Sequence, residues 1–226
     1  MRTLITGSRG GVGSRLIRKI DALEIDRSLG KDLLTCLLPE VEVIYHLAAQ
    51  TSVEESWKDP LADSYNFNMM VRLVQNYPNA RIIYAQSGAS IEATSPYGFS
   101  KKICGDYLKK FHKDYVICVF PNVYGTGRSV VDFFKGKKDV TIYGTGESVR
   151  DYVHVDDIVE GLVKAKDWPI GEYFMGSGVG TTVLQLAEGK TVDFKPARKE
   201  VAESILPNTT PNWSPKINVF DYLYES

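Results

Sequence analysis

The chain has 226 residues, 43% of them hydrophobic and 24% charged, with a formal net charge of −1. That composition suits one large soluble domain, or one domain with a small lobe, and the near-neutral balance excludes a globally basic binder of nucleic acid or acidic membranes. Three scattered cysteines, Cys36, Cys104 and Cys118, show neither disulfide nor metal-ligand spacing, so no metal site and a reducing compartment are expected. No apolar run reaches membrane-spanning length, and Met1 leads directly into strand-like sequence rather than a signal peptide, which points to a cytoplasmic protein without repeats or linkers.

Arg2 to Thr6 reads as a short apolar strand, followed at once by Gly7-Ser-Arg-Gly10-Gly-Val-Gly13 and by a helix from about Ser14 to Ile20. A strand, a glycine-rich turn and a helix form the entry to a dinucleotide-binding βαβ unit. The glycines admit a pyrophosphate close to the backbone, and the helix start offers amide donors. Leu23 to Ile25 reads as a second strand ending at Asp26, about where an acceptor for a ribose 2′-hydroxyl belongs. Arg9 in the glycine turn and Arg27 after the acid could each accept a 2′-phosphate instead. The pattern therefore favours NAD and leaves NADP open.

Val41 to Ala49 reads as a buried strand ending in small residues, which leave room for a flat ring at the carboxyl edge of a sheet. A helix is expected from about Pro60 to Tyr77. A strand over Arg81 to Ala85 runs on into Gln86-Ser87-Gly88, and another over Tyr115 to Phe120 leaves through Pro121-Asn122-Val-Tyr-Gly125. Strands alternating with helices predict an α/β fold with a doubly wound parallel sheet. After Gly127 the pattern loosens. It suggests a short helix at Val130 to Phe134, a strand at Val140 to Ile142, a helix capped by Asp156-Asp157 and running to about Ala165, a strand near Tyr173-Phe174, and a glycine turn at Gly176-Ser-Gly178. Residues 1–128, helped by 151–180, are thus expected to form the core. Residues 129–226 are expected to form a small mixed α/β substrate-binding lobe that closes over the crevice and does not fold independently.

Between those halves lies Ser95-Pro96-Tyr97-Gly98-Phe99-Ser100-Lys101. Ser95 suits an N-cap and Pro96 a first helical position, with the helix continuing to about His112. Tyr97 and Lys101 are four residues apart and leave one helix face. A phenol is a poor base at neutral pH. A nearby ammonium favours the phenolate, and lowering the pKa by roughly three units takes about 4 kcal/mol. The pair is a candidate proton-transfer device, and Ser87 faces the same crevice from the end of its strand.

The glycines 7, 10 and 13, His46-Leu-Ala-Ala49, Ser87, Tyr97-x-x-x-Lys101, Asn122-Val-Tyr-Gly125, Arg150-Asp-Tyr-Val-His-Val-Asp-Asp157 and Gly176-Ser-Gly178 occur in this order. Together they resemble the extended short-chain dehydrogenase/reductase family, in its nucleotide-sugar epimerase/dehydratase branch, over essentially the whole chain. The resemblance implies a Rossmann sheet, NAD or NADP as cofactor, and a nucleoside-diphosphate sugar as substrate. It makes Ser87, Tyr97 and Lys101 catalytic. Tyr97 would exchange a proton with a sugar hydroxyl, Ser87 would hydrogen-bond the same oxygen, and Lys101 would hold the nicotinamide ribose and lower the Tyr97 pKa. It places Gly7, Arg9, Gly10, Gly13, Asp26, Arg27, Asp32, Leu33, Leu47, Ala48, Ala49 and Pro121 around the cofactor, with Tyr97 and Lys101. Asn122, Arg150 and Arg198 would contact the substrate's diphosphate, a task that suits the arginine fork. Relatives commonly dimerise through two long helices from each subunit, here those over Pro60–Tyr77 and Tyr97–His112.

The chain is much shorter than the family's usual length, with the loss falling between the first helix and His46, between Ser87 and Tyr97, after Gly127, and between Leu186 and Lys195. A 4,6-dehydratase of this type has an Asp-Glu after its catalytic Ser or Thr. Here Gly88 and Ala89 follow Ser87, and neither moves a proton. A 4-epimerase needs only the Ser/Tyr/Lys set, a tightly held cofactor and room for a keto sugar to turn. C4 epimerisation of a UDP-sugar is therefore the expected reaction. The alternatives are an NADPH-dependent 4-keto-sugar reductase, suggested by the compact Leu23–Leu34 region with Arg9 and Arg27, and a non-catalytic dinucleotide-binding regulator.

Overall fold

A computed structural model describes residues 1–197 and 205–225. The chain runs through β1 (Thr3–Thr6), the single-turn α1 (Gly13–Leu16), β2 (Leu23–Ile25) and β3 (Val43–His46). It continues through α2 (Val53–Lys58), α3 (Pro60–Asn76), β4 (Arg81–Ser87), α4 (Pro96–Phe111) and β5 (Tyr115–Phe120). Then come β6 (Asn122–Tyr124), α5 (Val130–Phe134), β7 (Asp139–Tyr143), β8 (Val149–His154), α6 (Val155–Ala165) and β9 (Gly171–Phe174). β10 (Gly180–Thr182), α7 (Val183–Leu186), β11 (Thr191–Lys195) and α8 (Val219–Tyr224) complete it.

Six strands form one sheet in the order β2-β1-β3-β4-β5-β9, with every pairing parallel. The chain steps from β1 outward to β2, then back past β1 to β3, so the winding reverses there. A crevice opens at the carboxyl edge of the sheet at such a switch point. A sheet covered on both faces needs strands that are apolar on both sides, and the two-residue side-chain period then sorts them into two cores. Leu4, Ile44, Ile82 and Ile117 pack on Met70 and Leu73 of α3 and Cys104 and Leu108 of α4. Their neighbours Ile5, Tyr45, Ile83 and Cys118 pack on Leu16 and on Ile158, Val159 and Leu162 of α6. A third cluster joins Tyr124, Phe134, Ile142, Tyr152, Leu186 and Leu223 beside the three-stranded β10-β8-β6 sheet and the β11/β7 pair.

Three local expectations change. The helix after the glycine turn has α-helical form only over Gly13–Leu16 and continues as turns, with Lys19 N bonded to Leu16 O at 2.9 Å. The strand expected over residues 41–49 pairs only from Val43 to His46, with Leu47 N adding a last bond to Thr6 O at 3.1 Å, which leaves Ala48 and Ala49 free of the ladder at the crevice. The cap of α6 is His154, whose Nδ1 accepts from Asp156 N at 3.2 Å. Asp157 instead accepts the amides of Lys216 and Ile217, both at 2.9 Å, and ties down the C-terminal segment.

Candidate active site

A cavity of about 610 Å³ lies at the carboxyl edge of the parallel sheet, bounded by the glycine turn at one end and by Ser87, Tyr97 and Lys101 at the other. The turn is pressed against the exit of β3. Gly7 has φ +71°, and a Cβ there would fall 2.6 Å from Ala48 N; a Cβ on Gly13 would fall 2.1 Å from Gly7 O. Backbone thus forms that end of the cavity, a cradle that side chains would fill and that fits a dinucleotide's pyrophosphate. The Thr6 hydroxyl holds the facing loop, accepting from Ala48 N at 3.3 Å and lying 2.8 Å from His46 Nδ1. Full burial, with the Lys101 charge adding to it, pushes His46 down to about 3. The imidazole is therefore neutral, and its Nδ1 shares one hydrogen bond with the Thr6 hydroxyl. His46 is a positioning group whose role could not be read from the chain alone.

Asp26 stands at the end of β2 and lines the cavity with Arg27, Lys31 and Leu33. Its carboxylate accepts from Arg9 N at 3.0 Å, Ser28 N at 2.9 Å and Ser28 Oγ at 2.8 Å. Partial burial pushes its pKa up, but these donors outweigh that and hold it below the usual value. Arg9 does not line the cavity with its side chain: the guanidinium turns onto Glu24 at 2.8 Å. Asp32 likewise stays out, capping Leu34 N at 2.8 Å. Leu47, Ala48, Ala49 and Pro121 line the cavity as expected.

Ser95 Oγ accepts from Gly98 N at 3.0 Å, so α4 starts where expected and presents Tyr97 and Lys101 to the cavity. Their electrostatics differ from expectation. Burial pushes Tyr97 up to about 12, with the Ser87 hydroxyl pulling the other way and Asp63 adding to the rise. Burial also pushes Lys101 down to about 8. The ammonium donates to Ala85 O at 2.6 Å and sits 4.3 Å from the centre of the Tyr84 ring. The protein groups alone therefore do not make an acidic phenol, because the cation is held by a carbonyl and a ring face rather than by the Tyr97 oxygen.

On the opposite wall, Asn122 and Arg150 line the cavity, and Asn122 Nδ2 donates to Asp151 O at 3.2 Å. Asp151 is fully buried and gathers Ser177 N, Ser177 Oγ, Gly178 N and Leu206 N, which fixes the glycine turn foreseen at Gly176–Gly178. Arg198 lies outside the described residues. Lys31, Thr51, Met69, Thr126 and Arg128 join the lining without any signal in the chain that marked them. Among the described residues no group of His, Cys, Asp or Glu could hold a metal ion, and no helix is long and apolar enough to cross a membrane.

A crevice at the switch point of a doubly wound sheet, with a backbone cradle at one end and Ser87 with the buried Tyr97 and Lys101 at the other, defines a nicotinamide-dependent enzyme. Residues 3–172 match the sequence profile of the NAD dependent epimerase/dehydratase family, and the chain belongs to that family. A putative UDP-glucose 4-epimerase from Methanocaldococcus jannaschii is 25% identical over 287 aligned positions, which take in 96% of this chain and 94% of the relative. A UDP-glucose 4-epimerase from Mycolicibacterium smegmatis is 31% identical, over 82% of this chain and 80% of its own. Among solved structures, a UDP-glucose 4-epimerase from Thermotoga maritima with UDP-glucose superposes with a TM-score of 0.85 at 28% identity, covering 99% and 96% of the two chains. The resemblance read from the motifs is borne out, as is the Rossmann-type parallel sheet.

Proposed function

We propose that this chain is a nucleotide-sugar epimerase that inverts C4 of a UDP-sugar. The observation that carries the reading is the convergence of Ser87, Tyr97 and Lys101 on the cavity that also holds the glycine cradle, while Gly88 and Ala89 after Ser87 supply no second acid or base. The glycine turn over Gly7–Gly13 would hold NAD, whose chemistry would be to accept a hydride from the sugar carbon and return it to the opposite face. Tyr97 takes the proton of the C4 hydroxyl and gives it back, with Ser87 hydrogen-bonded to the same oxygen. Lys101, held by Ala85 O in the structure, would turn to hold the nicotinamide ribose. Asn122, Arg150 and, by resemblance, Arg198 hold the substrate's diphosphate. Residues 129–226, apart from the stretch of about 151–180 that gives α6 and β9 to the core, form a small substrate-binding lobe against a core ending near residue 128.

The names of the three relatives support a UDP-sugar. The test is to denature the purified protein, identify the released dinucleotide, and screen UDP-, dTDP- and GDP-sugars. Conversion of UDP-glucose to its C4 epimer without net cofactor consumption is expected. Stoichiometric oxidation of NADPH by a 4-keto sugar would select a reductase instead, a reading that Arg27 and Lys31 beside Asp26 favour. The exposed Leu61 and Tyr65 on α3 and Phe99 and Phe111 on α4 support a homodimer built on those helices; sedimentation as a concentration-independent monomer would refute it.

A further inference from the structure

The loop between β6 and α5 brings to the cavity a cation that none of the roles above uses. Arg128 lines the cavity together with Gly10, Gly11 and Gly13 of the glycine turn. The loop packs directly on that turn, since a Cβ on Gly11 would fall 2.9 Å from Thr126 Cγ2. Arg15, just beyond the turn, donates to Gly125 O and faces Asp156 at 3.4 Å, so its own charge is engaged elsewhere. The guanidinium of Arg128 is exposed, and no acid among the described residues pairs with it.

Its backbone is held firmly. One carboxylate, Asp132, accepts from Gly125 N at 2.8 Å, Arg128 N at 3.1 Å, and Ser129 N and Oγ at 3.0 and 2.8 Å. The Tyr222 hydroxyl on α8 adds a fifth donor at 3.1 Å. Half of Arg128 is thus fixed by the fold while its charged end stays unpaired beside a cradle of neutral amides. Such a cation has its lowest energy when a doubly charged, bidentate acceptor enters that cradle. A diphosphate is such an acceptor.

We propose that Arg128 clamps the diphosphate of the bound dinucleotide, with Asp132 and Tyr222 as the positioning residues that aim it. The inference rests on the reading that the cavity takes NAD. It assigns to the C-terminal helix, remote in sequence, a part in holding the cofactor.

The test is calorimetric titration of the full chain and of Arg128→Gln and Arg128→Lys with NAD, ADP-ribose, adenosine and UDP. Arg128→Gln is expected to weaken NAD and ADP-ribose equally, by about tenfold or more, to flatten the salt dependence of both, and to leave adenosine and UDP unchanged. Arg128→Lys is expected to recover part of the loss. Unchanged NAD affinity in Arg128→Gln would overturn the assignment, and so would a loss confined to UDP, which would move the residue to the substrate's diphosphate. Failure of the unmodified chain to bind any dinucleotide would overturn the functional reading itself.

Discussion

Replacing Tyr97 with Phe removes a single oxygen from a ring that is only 8% exposed, so the fold should persist and the chemistry should not. With its pKa near 12, the phenol lies about five units above neutral pH; ionising it there costs about 7 kcal/mol at 1.36 kcal/mol per unit. A base that weak cannot drive turnover. Under the proposed function, the pyridinium charge of a bound nicotinamide, and Lys101 released from Ala85, would have to bring the phenol down by roughly three units or more, about 4 kcal/mol. Tyr97→Phe should therefore lower kcat by about 100-fold or more with KM little changed, the usual weight of a general acid–base group. The assay is epimerisation kinetics paired with a tyrosinate absorbance titration, in which the Tyr97→Phe trace is subtracted from that of the unmodified chain. Without added dinucleotide the difference should titrate close to pH 12; saturating NAD should shift it toward neutrality. A variant that kept more than about a tenth of the turnover would refute the role of Tyr97, given that proton transfer is worth at least about 100-fold. A difference titration that ignored NAD would refute the electrostatic reasoning.

Two stability predictions follow from the same buried groups. Lys101 is 5% exposed, and burial depresses its pKa from 10.5 to about 8. The unfolded chain then binds more protons between those values, so stability should rise with pH across that window, and at neutral pH the buried ammonium costs roughly 3 kcal/mol, partly offset by Ala85 O and the Tyr84 ring. Lys101→Met should be more stable than the parent by about 1–3 kcal/mol in urea at neutral pH, with the gain shrinking toward pH 10, while losing activity; a destabilised variant at neutral pH would contradict this. Asp63 on α3 is 3% exposed, and neither carboxylate oxygen has a hydrogen-bond partner, the neighbouring Ser100 giving its proton to Tyr97 O at 2.8 Å. Burial raises its pKa, so the folded state holds the proton longer than the unfolded one and stability falls as pH rises through that range. Asp63→Asn should be more stable than the parent at neutral pH, with the gain shrinking as the pH falls and the parent carboxyl takes up its proton; a gain that did not change with pH would count against it.

Much of the site was legible because it depends on near neighbours in the chain. The Ser95 cap, the four-residue spacing of Tyr97 and Lys101, and the glycines before α1 are local devices, and each is found where its pattern put it. Other residues were misread for want of a partner that arrives from far away. Arg9 looked free until β2 brought Glu24 beside it. Asp156-Asp157 looked like a cap, but His154 takes that place because Asp157 is claimed by the amides of Lys216 and Ile217. Arg128 carried no signal at all, since its position comes from Asp132 and Tyr222, 90 residues apart.

The amino-acid order by itself determined the alternation of apolar strands and helices, the glycine turn and the family to which these motifs belong, because backbone preference and side-chain periodicity act over a few residues. Only the tertiary structure decided the charge states: Lys101 on the Ala85 carbonyl, Tyr97 as a weak acid, His46 neutral against Thr6. A pKa is set by desolvation and by whichever dipoles and charges the fold delivers to the group, and these come from strands and helices distant in the chain.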